Sequence, residues 1–293
     1  MSESEPIQAL TALGLTELEA EIYISLLKES PATGYRIAQM IGKPTGNTYK
    51  AIQTLSTKGA ILVEEVPRRQ CRAVPYEEFL SGLERTFNRK KIQARESLAS
   101  IPLAAIDDKI YRLNSTDQVM ERVRAMLNRA EVVAILDIFP KPLEDLIPDI
   151  EKCAASGVTV TVKIYDALEI KGVHTVLDFM ADTIKERWPG QWINVVIDST
   201  EHLLAFLSQD CHTVHQAIWS KSAYLSSTYL GGLHAEITLD EIGSVLEQQG
   251  SVEDIRTVFS RFRSRDILDS PGYCELIKTY GIEEKTSGKE YDS

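Results

Sequence analysis

Apolar and polar positions change period several times along the chain, and each change marks an expected element. Residues 7–15, IQALTALGL, are a short apolar lead-in. Thr16 and Glu19 have the spacing of a capping box, in which the hydroxyl caps while the carboxylate reaches back. The helix that follows is expected to place Ala20, Tyr23, Ile24 and Leu27 on one face before Pro31 ends it. From Thr33, whose side chain can accept from free amides, a second helix carries Ile37, Ala38 and Ile41 at helical spacing. Gly42 supplies a stop, and Pro44 keeps Lys43 out of the α region, so the chain turns there. A third helix begins near Thr45, which is placed to cap it. Its inward face is expected to be Tyr49, Ile52 and Leu55, with Asn47, Thr48 and Lys50 opposite. After Gly59, the apolar runs 60–66 and 71–74 read as a hairpin around the basic stretch Pro67–Gln70.

From Tyr76 to Ile101 the chain is helical and polar, with Leu80, Leu83, Phe87, Ala94, Leu98 and Ile101 close to an a/d repeat that Lys91 interrupts. Beyond Pro102 the period alternates between strand and helix. Strands are expected at 109–115, 131–139, 158–166, 192–198, 202–208 and 213–220. Helices are expected at 116–129, 143–155 and 176–187, the first capped by Thr116. Such alternation predicts a mixed sheet with helices on its faces. Past Leu246 one or two short helices are expected, with Val252, Ile255, Val258, Phe259 and Phe262 as an apolar stripe, and from about Glu283 a polar disordered tail. The expected fold class is α+β to α/β. Its four parts are a reader module at 1–75, a linker helix at 76–104, a sheet domain at 105–246 and C-terminal helices at 247–293.

Charge changes the picture. The net charge of −11 argues against nucleic acid until it is divided along the chain. Residues 36–95 hold 12 Lys and Arg against 5 Asp and Glu, whereas residues 101–293 hold 19 against 31. Basic charge is therefore concentrated on the helix–turn–helix–hairpin stretch, and an acidic remainder would repel DNA and confine it to one face. Four cysteines lie far apart with no CxxC pair, which suits a reducing compartment. No run approaches the ~18–20 apolar residues of a membrane span. The acidic start MSESEPIQAL lacks the basic-then-apolar order of a signal peptide. A cytoplasmic protein is expected, with no membrane partner.

Helix, tight turn, helix and basic hairpin is the order of a winged helix-turn-helix. In that arrangement Asn47, Thr48 and Lys50 project toward the major groove. Asn suits the N6/N7 edge of adenine, Thr a polar edge or thymine methyl, and Lys phosphate or guanine. Thr45 fits a cap better than a base contact. Arg68, Arg69, Gln70 and Arg72 sit at the wing, placed to embrace phosphates or enter the minor groove. The expected partner is double-stranded DNA. The linker-helix residues Leu80, Leu83, Phe87, Ala94 and Leu98 would pair two copies, setting two wings ~34 Å apart on adjacent turns.

The run LGLTELEAEIYISLL, then PATGYRIAQMIGKPTGNTYKAIQTLSTKGAI and RRQCRAVPYEEFL, resembles the N-terminal domain of TrmB-type transcriptional regulators over about 75 contiguous residues. Residues 109–235 resemble the phospholipase D-like domain found behind the reader in many such proteins. The likeness rests on Tyr-Arg-Leu, Ser-Gly-Val-x-Val-x-Val, Val-Ile-Asp-x-x-x-x-Leu and Gln-Ala-Ile-Trp. Active phospholipase D enzymes carry His-x-Lys followed by an Asp. The nearest stretch here is His215-Gln216-Ala217, with Ala in place of the phosphate-neutralising Lys and no Asp at the required offset. The resemblance therefore implies a non-catalytic domain that senses an unknown small-molecule effector or holds a homodimer. An enzyme acting on phosphodiesters and a winged helix used for protein contacts are the alternative readings.

Two further groups could carry chemistry. Cys211, His212 and His215, with His202 on the neighbouring strand, are soft and borderline ligands. Adjacent Cys and His point to opposite strand faces, so no metal and no cofactor is expected. His174 and His234 have less support still. Asp137, Asp166 and Asp198 fall at expected strand ends, where open α/β sheets keep ligand crevices and where strands commonly terminate.

Overall fold

The computed structural model describes residues 4–64, 69–101, 108–262 and 269–281. The chain divides into two units, Met1–Ala104 and Ala105–Ser293.

The first unit contains α1 (Ser4–Ala12), α2 (Glu17–Lys28), α3 (Gly34–Ile41), α4 (Thr45–Thr57), the hairpin β1 (Ile61–Glu64) and β2 (Gln70–Ala73), and α5 (Tyr76–Ala99). The capping box forms: the Glu19 amide donates to the Thr16 hydroxyl at 3.3 Å, and the Thr16 amide to the Glu19 carboxylate at 2.7 Å. Thr33 accepts from the Arg36 amide. Gly42 adopts φ 64°, and the following Lys43 amide returns to the Ala38 carbonyl, which closes α3. Thr45, by contrast, makes no cap. Pro44 occupies that position without a side-chain bond, and Thr45 is the first helical residue.

Two inward faces sit one position away from expectation. On α2 the buried side is Glu19, Ala20, Ile22, Tyr23 and Leu26, while Leu27 is exposed. On α4 it is Thr48, Ala51, Ile52 and Leu55, a complete i, i+3, i+4, i+7 stripe, while Tyr49 is exposed. The hairpin pairs antiparallel, Leu62 opposite Arg72 and Glu64 opposite Gln70. Its base is tied down by a two-way backbone bridge between Cys71 and Ala32. The Tyr23 hydroxyl reaches the Val74 carbonyl at 2.8 Å, and its ring packs on Phe79. Phe79 is the single buried residue described on α5.

The second unit is a seven-stranded mixed sheet. Its elements are β3 (Ile110–Arg112), α6 (Thr116–Leu127), β4 (Val133–Ile138), α7 (Pro140–Ala155), β5 (Thr159–Ile164), β6 (His174–Leu177), α8 (Ala181–Arg187), β7 (Gln191–Ile197), β8 (Glu201–Leu207), β9 (Val214–Ser220), α9 (Ala223–Glu247), α10 (Val252–Phe262) and α11 (Pro271–Tyr280). The order is β3-β9-β8-β7-β4-β5-β6, with β4–β5 and β5–β6 parallel and the other pairs antiparallel. Central β4 is buried at all six positions, as a strand covered on both faces must be. On one face Leu136, Val195 and Leu203 pack with Val123, Leu146 and Ile150 of α6 and α7. On the other, Ile135 and Val196 pack with Leu230, Leu233 and Ile237 of α9.

The helix expected at 176–187 is instead a strand followed by a shorter helix. Residues 174–177 pair with β5, and Asp178 accepts from the Met180 amide at 2.7 Å, which breaks the run before α8. The α6 cap is Ser115 rather than Thr116, whose hydroxyl donates to the Cys211 carbonyl. Of the C-terminal stripe, Val258 is buried, while Val252 and Phe259 are exposed. The Phe262 side chain and the expected tail from Glu283 lie outside the described residues.

Candidate nucleic-acid interface and a buried charge cluster

On α4 the side chains of Asn47 and Lys50 are exposed, on the side opposite Ala51, Ile52 and Leu55. Thr48 is not with them. It is fully buried, its hydroxyl donating to the Pro44 carbonyl at 3.0 Å, so it cannot present a side chain to a base edge. Counting back from Leu55 at i−7 reaches Thr48, a signal that the polarity of Thr masked. Tyr49 takes the exposed place, and its ring lies where a Cβ on Gly34 would come within 2.5 Å. α4 thus leans on α3 through an aromatic ring seated on a bare backbone.

At the wing, Arg69 and Arg72 are exposed and Gln70 is half-buried within β2. Arg68 lies outside the described residues. Cys71, between them, turns inward, and burial pushes its thiol above the ordinary value, so it is a packing residue. The far end of α4 is also fixed. Lys58 donates to the buried Glu19 carboxylate at 2.7 Å and to the Gly14 carbonyl at 2.9 Å. Burial raises the pKa of Glu19, but the Lys58 ammonium and the Thr16 amide outweigh it and hold the group below its ordinary value. Leu80, Phe87 and Leu98 are exposed on α5, Ala94 is exposed, and Leu83 packs in part on the core of this unit.

The second unit holds a charge cluster that the strand pattern did not reveal. Lys163 is 1% exposed, and its ammonium lies 2.8 Å from Asp178, 2.6 Å from Glu236 and 3.1 Å from Asp240. Burial alone would discharge it, but hydrogen bonds to Asp178 and Glu236 and the charge of Asp240 raise its pKa above the lysine value. Asp240, buried beside it, is pushed up to about 6 by desolvation that Lys163 only partly offsets. Next to this group Asp137 is buried and accepts from Tyr165 at 2.8 Å, Trp192 at 2.9 Å and Asn194 at 3.0 Å. Burial raises its pKa against the pull of those donors. In the sequence Lys163 reads as one polar position in an alternating strand. Its burial depends on α9, about seventy residues on, arriving with Glu236 and Asp240.

Asp137 thus lies beside the buried cluster, whereas the other two strand-end acids are structural or superficial. Asp198 accepts from the amides of Glu131, Val132 and Val133, and Asp166 forms a surface ion pair with Lys185. The register sets Asp137 beside Asn194, Asn194 beside Leu204 and Leu204 beside Ile218 across β4, β7, β8 and β9. Above this row, beneath α9, lies an open cavity of about 430 Å³. His202 is buried against Ser226, whereas His215 is exposed beside Phe206. Cys211, at φ 62°, belongs to the turn before β9, with His212 exposed next to it. Among the described residues no group of three or more His, Cys, Asp or Glu is arranged to hold a metal ion. Ala217, where a phosphate-binding Lys would stand, is buried. None of the described helices is long and apolar enough to cross a membrane.

Comparison with known proteins follows the same division. The model described as "Sugar-specific transcriptional regulator TrmB" matches residues 10–77. That described as "Transcriptional regulator TrmB, EBD N-terminal subdomain" matches residues 109–223. The uncharacterized protein YrhO of Bacillus subtilis (strain 168) is 25% identical over 203 residues, 69% of this chain and 74% of YrhO. A solved structure of TrmBL2, described as an archaeal chromatin protein with a novel mode of DNA binding, covers 80% of this chain and 97% of its own. Its TM-score is 0.38 and its identity 17%. NucT from Helicobacter pylori covers 44% of this chain and 95% of its own, with TM-score 0.35 and 8% identity. Both structural likenesses are loose. The two matched segments together span more than half of the sequence, and the chain belongs to the TrmB family of transcriptional regulators.

Proposed function

We propose that the protein binds duplex DNA as a homodimer in the cytoplasm, and that a small-molecule effector acting on the second unit changes its operator affinity. The observation that carries this is the exposure of Asn47 and Lys50 on α4 together with Arg69 and Arg72 on the wing, in a basic stretch of an otherwise acidic chain. Asn47 and Lys50 address the major groove, while Arg69, Gln70 and Arg72 hold the backbone beside it, and the sequence adds Arg68, which lies outside the described residues. The exposed α5 residues Leu80, Phe87, Ala94 and Leu98, with Leu83 at the base, form the seam between copies.

On this reading residues 1–75 are the DNA-binding module, 76–104 the dimer helix and 105–246 a non-catalytic phospholipase D-like sensor, with 247–293 as its C-terminal helices. Buried Ala217 beside exposed His215 supports the loss of phosphodiester chemistry, since an alanine side chain cannot neutralise a phosphate.

The test is selection of bound fragments from genomic DNA by the purified chain, followed by salt titration of a selected site. Replacing Arg69 and Arg72 with Ala should lower the slope of log affinity against log salt by about two per protomer, about four for the dimer, and weaken all sequences alike. A palindrome in the selected fragments supports the dimer. Equal affinity and slope for the variant would refute the assignment of the wing.

A further inference from the structure

We propose that the cavity between α9 and the β4–β7–β8–β9 face binds a small organic cation, a quaternary ammonium or alkylamine. This rests on the reading of the second unit as a sensor only for its consequence on DNA affinity. The site itself stands on three observations.

The first is its size. At about 430 Å³ it lies within the range of small-molecule pockets. The second is a corner of aromatic rings. Trp188 and Trp192 stand at 83° with centroids 4.9 Å apart, and Phe206 meets Trp188 at 69° and 5.7 Å. Tyr229 of α9 lines the cavity as well. Trp188 keeps 41% of its surface exposed at this corner, a large apolar area that a ligand would cover.

The third is charge, which decides the class of ligand. Asp137 and Glu236 line the cavity, and no Lys or Arg is among its described lining residues. The neighbouring Lys163 is already divided among Asp178, Glu236 and Asp240. Counting Asp137, four carboxyl groups lie around one ammonium, and two of them, Asp137 and Glu236, line the cavity, so its ionisable groups are acidic in excess. Acidic excess with aromatic rings in the wall attracts a weakly hydrated cation, repels an anion and gives a neutral polyol no share of the charge term.

The experiment is a titration of the full chain with choline, followed by tryptophan fluorescence, beside its neutral isostere 3,3-dimethyl-1-butanol and beside maltose. Choline should give a saturable change and bind about ten-fold more tightly than the isostere. Trp188→Ala and, independently, Glu236→Gln should each weaken choline binding by about ten-fold, with far-ultraviolet circular dichroism confirming a folded chain. Equal binding of the isostere, saturable binding of maltose in place of choline, or no saturable response from the folded chain would overturn the proposal. DNA affinity is measured in a separate reaction. Choline binding that leaves DNA affinity unmoved sinks the sensing role alone, while absent choline binding with intact DNA binding sinks the cation site alone.

Discussion

Replacing Lys163 with Met keeps the side-chain volume and removes the ammonium that Asp178, Glu236 and Asp240 share. The Glu236 side chain is 56% exposed and can turn to water, so its loss of a partner costs little. Asp178 and Asp240 cannot turn, each being buried. The folded variant escapes an unpaired buried charge by taking up one additional proton. Holding a carboxyl protonated at pH 7 against an unfolded pKa near 3.9 costs about 4 kcal/mol, and at pH 5 about 1.5 kcal/mol. The first figure agrees with the ~3–5 kcal/mol typical of breaking a buried pair.

The sign follows from the direction of the shifts. A carboxyl whose folded pKa is raised contributes stability below its unfolded pKa and loses it as pH rises through the folded value. In the parent protein Asp240, at about 6, confines that loss to roughly pH 4–6. In the variant the loss continues toward neutrality. Urea unfolding followed by tryptophan fluorescence measures it in the right unit, because Trp188, Trp192 and Trp219 all lie in residues 105–293. A loss below ~1 kcal/mol at pH 7, or one undiminished at pH 5, would refute the role given to Lys163.

Four other outcomes are expected. Gly34→Ala puts a methyl 2.5 Å from the exposed Tyr49 ring, which must swing aside, so it should cost about 1 kcal/mol or less in thermal unfolding of the first unit while changing DNA affinity through the displaced ring. Thr48→Val should leave the salt slope of DNA binding unchanged and cost no more than about 1 kcal/mol, because the Pro44 carbonyl still receives the residue 48 amide. Lys50→Ala, by contrast, should weaken binding to a selected site by about 1–3 kcal/mol and relax its preference at one base position. Phe87→Glu with Leu98→Glu should convert the dimer to monomer in sedimentation without lowering the melting temperature of the first unit, since both side chains are exposed.

Much of the reader was legible because its signals are local. The Thr16–Glu19 box, the Thr33 cap and the Gly42 stop each depend on neighbours within a few residues, and each forms. The mixed sheet was legible from runs such as 131–139, whose apolar continuity matches the fully buried β4. The rest depended on contacts distant in sequence. Residues 174–177 became a strand because β5 offers them an edge, a preference that helical spacing from Val176 cannot register. Hydrophobicity alone points Tyr49 inward, but Thr48 fits the stripe once its hydroxyl is returned to the Pro44 carbonyl. Lys163 and Asp137 gain their meaning only when α9 and β7 bring their partners.

The attachments of α4 bear on how operator choice can be regulated. One end of the helix presses an aromatic ring against the bare Gly34 backbone, and the other is pinned by Lys58 to the start of α2. A rod held near both ends has less freedom to pivot by itself than one held at a single end. On the proposed homodimer, adaptation to a mismatched sequence would then fall to the spacing at which the two copies present α4.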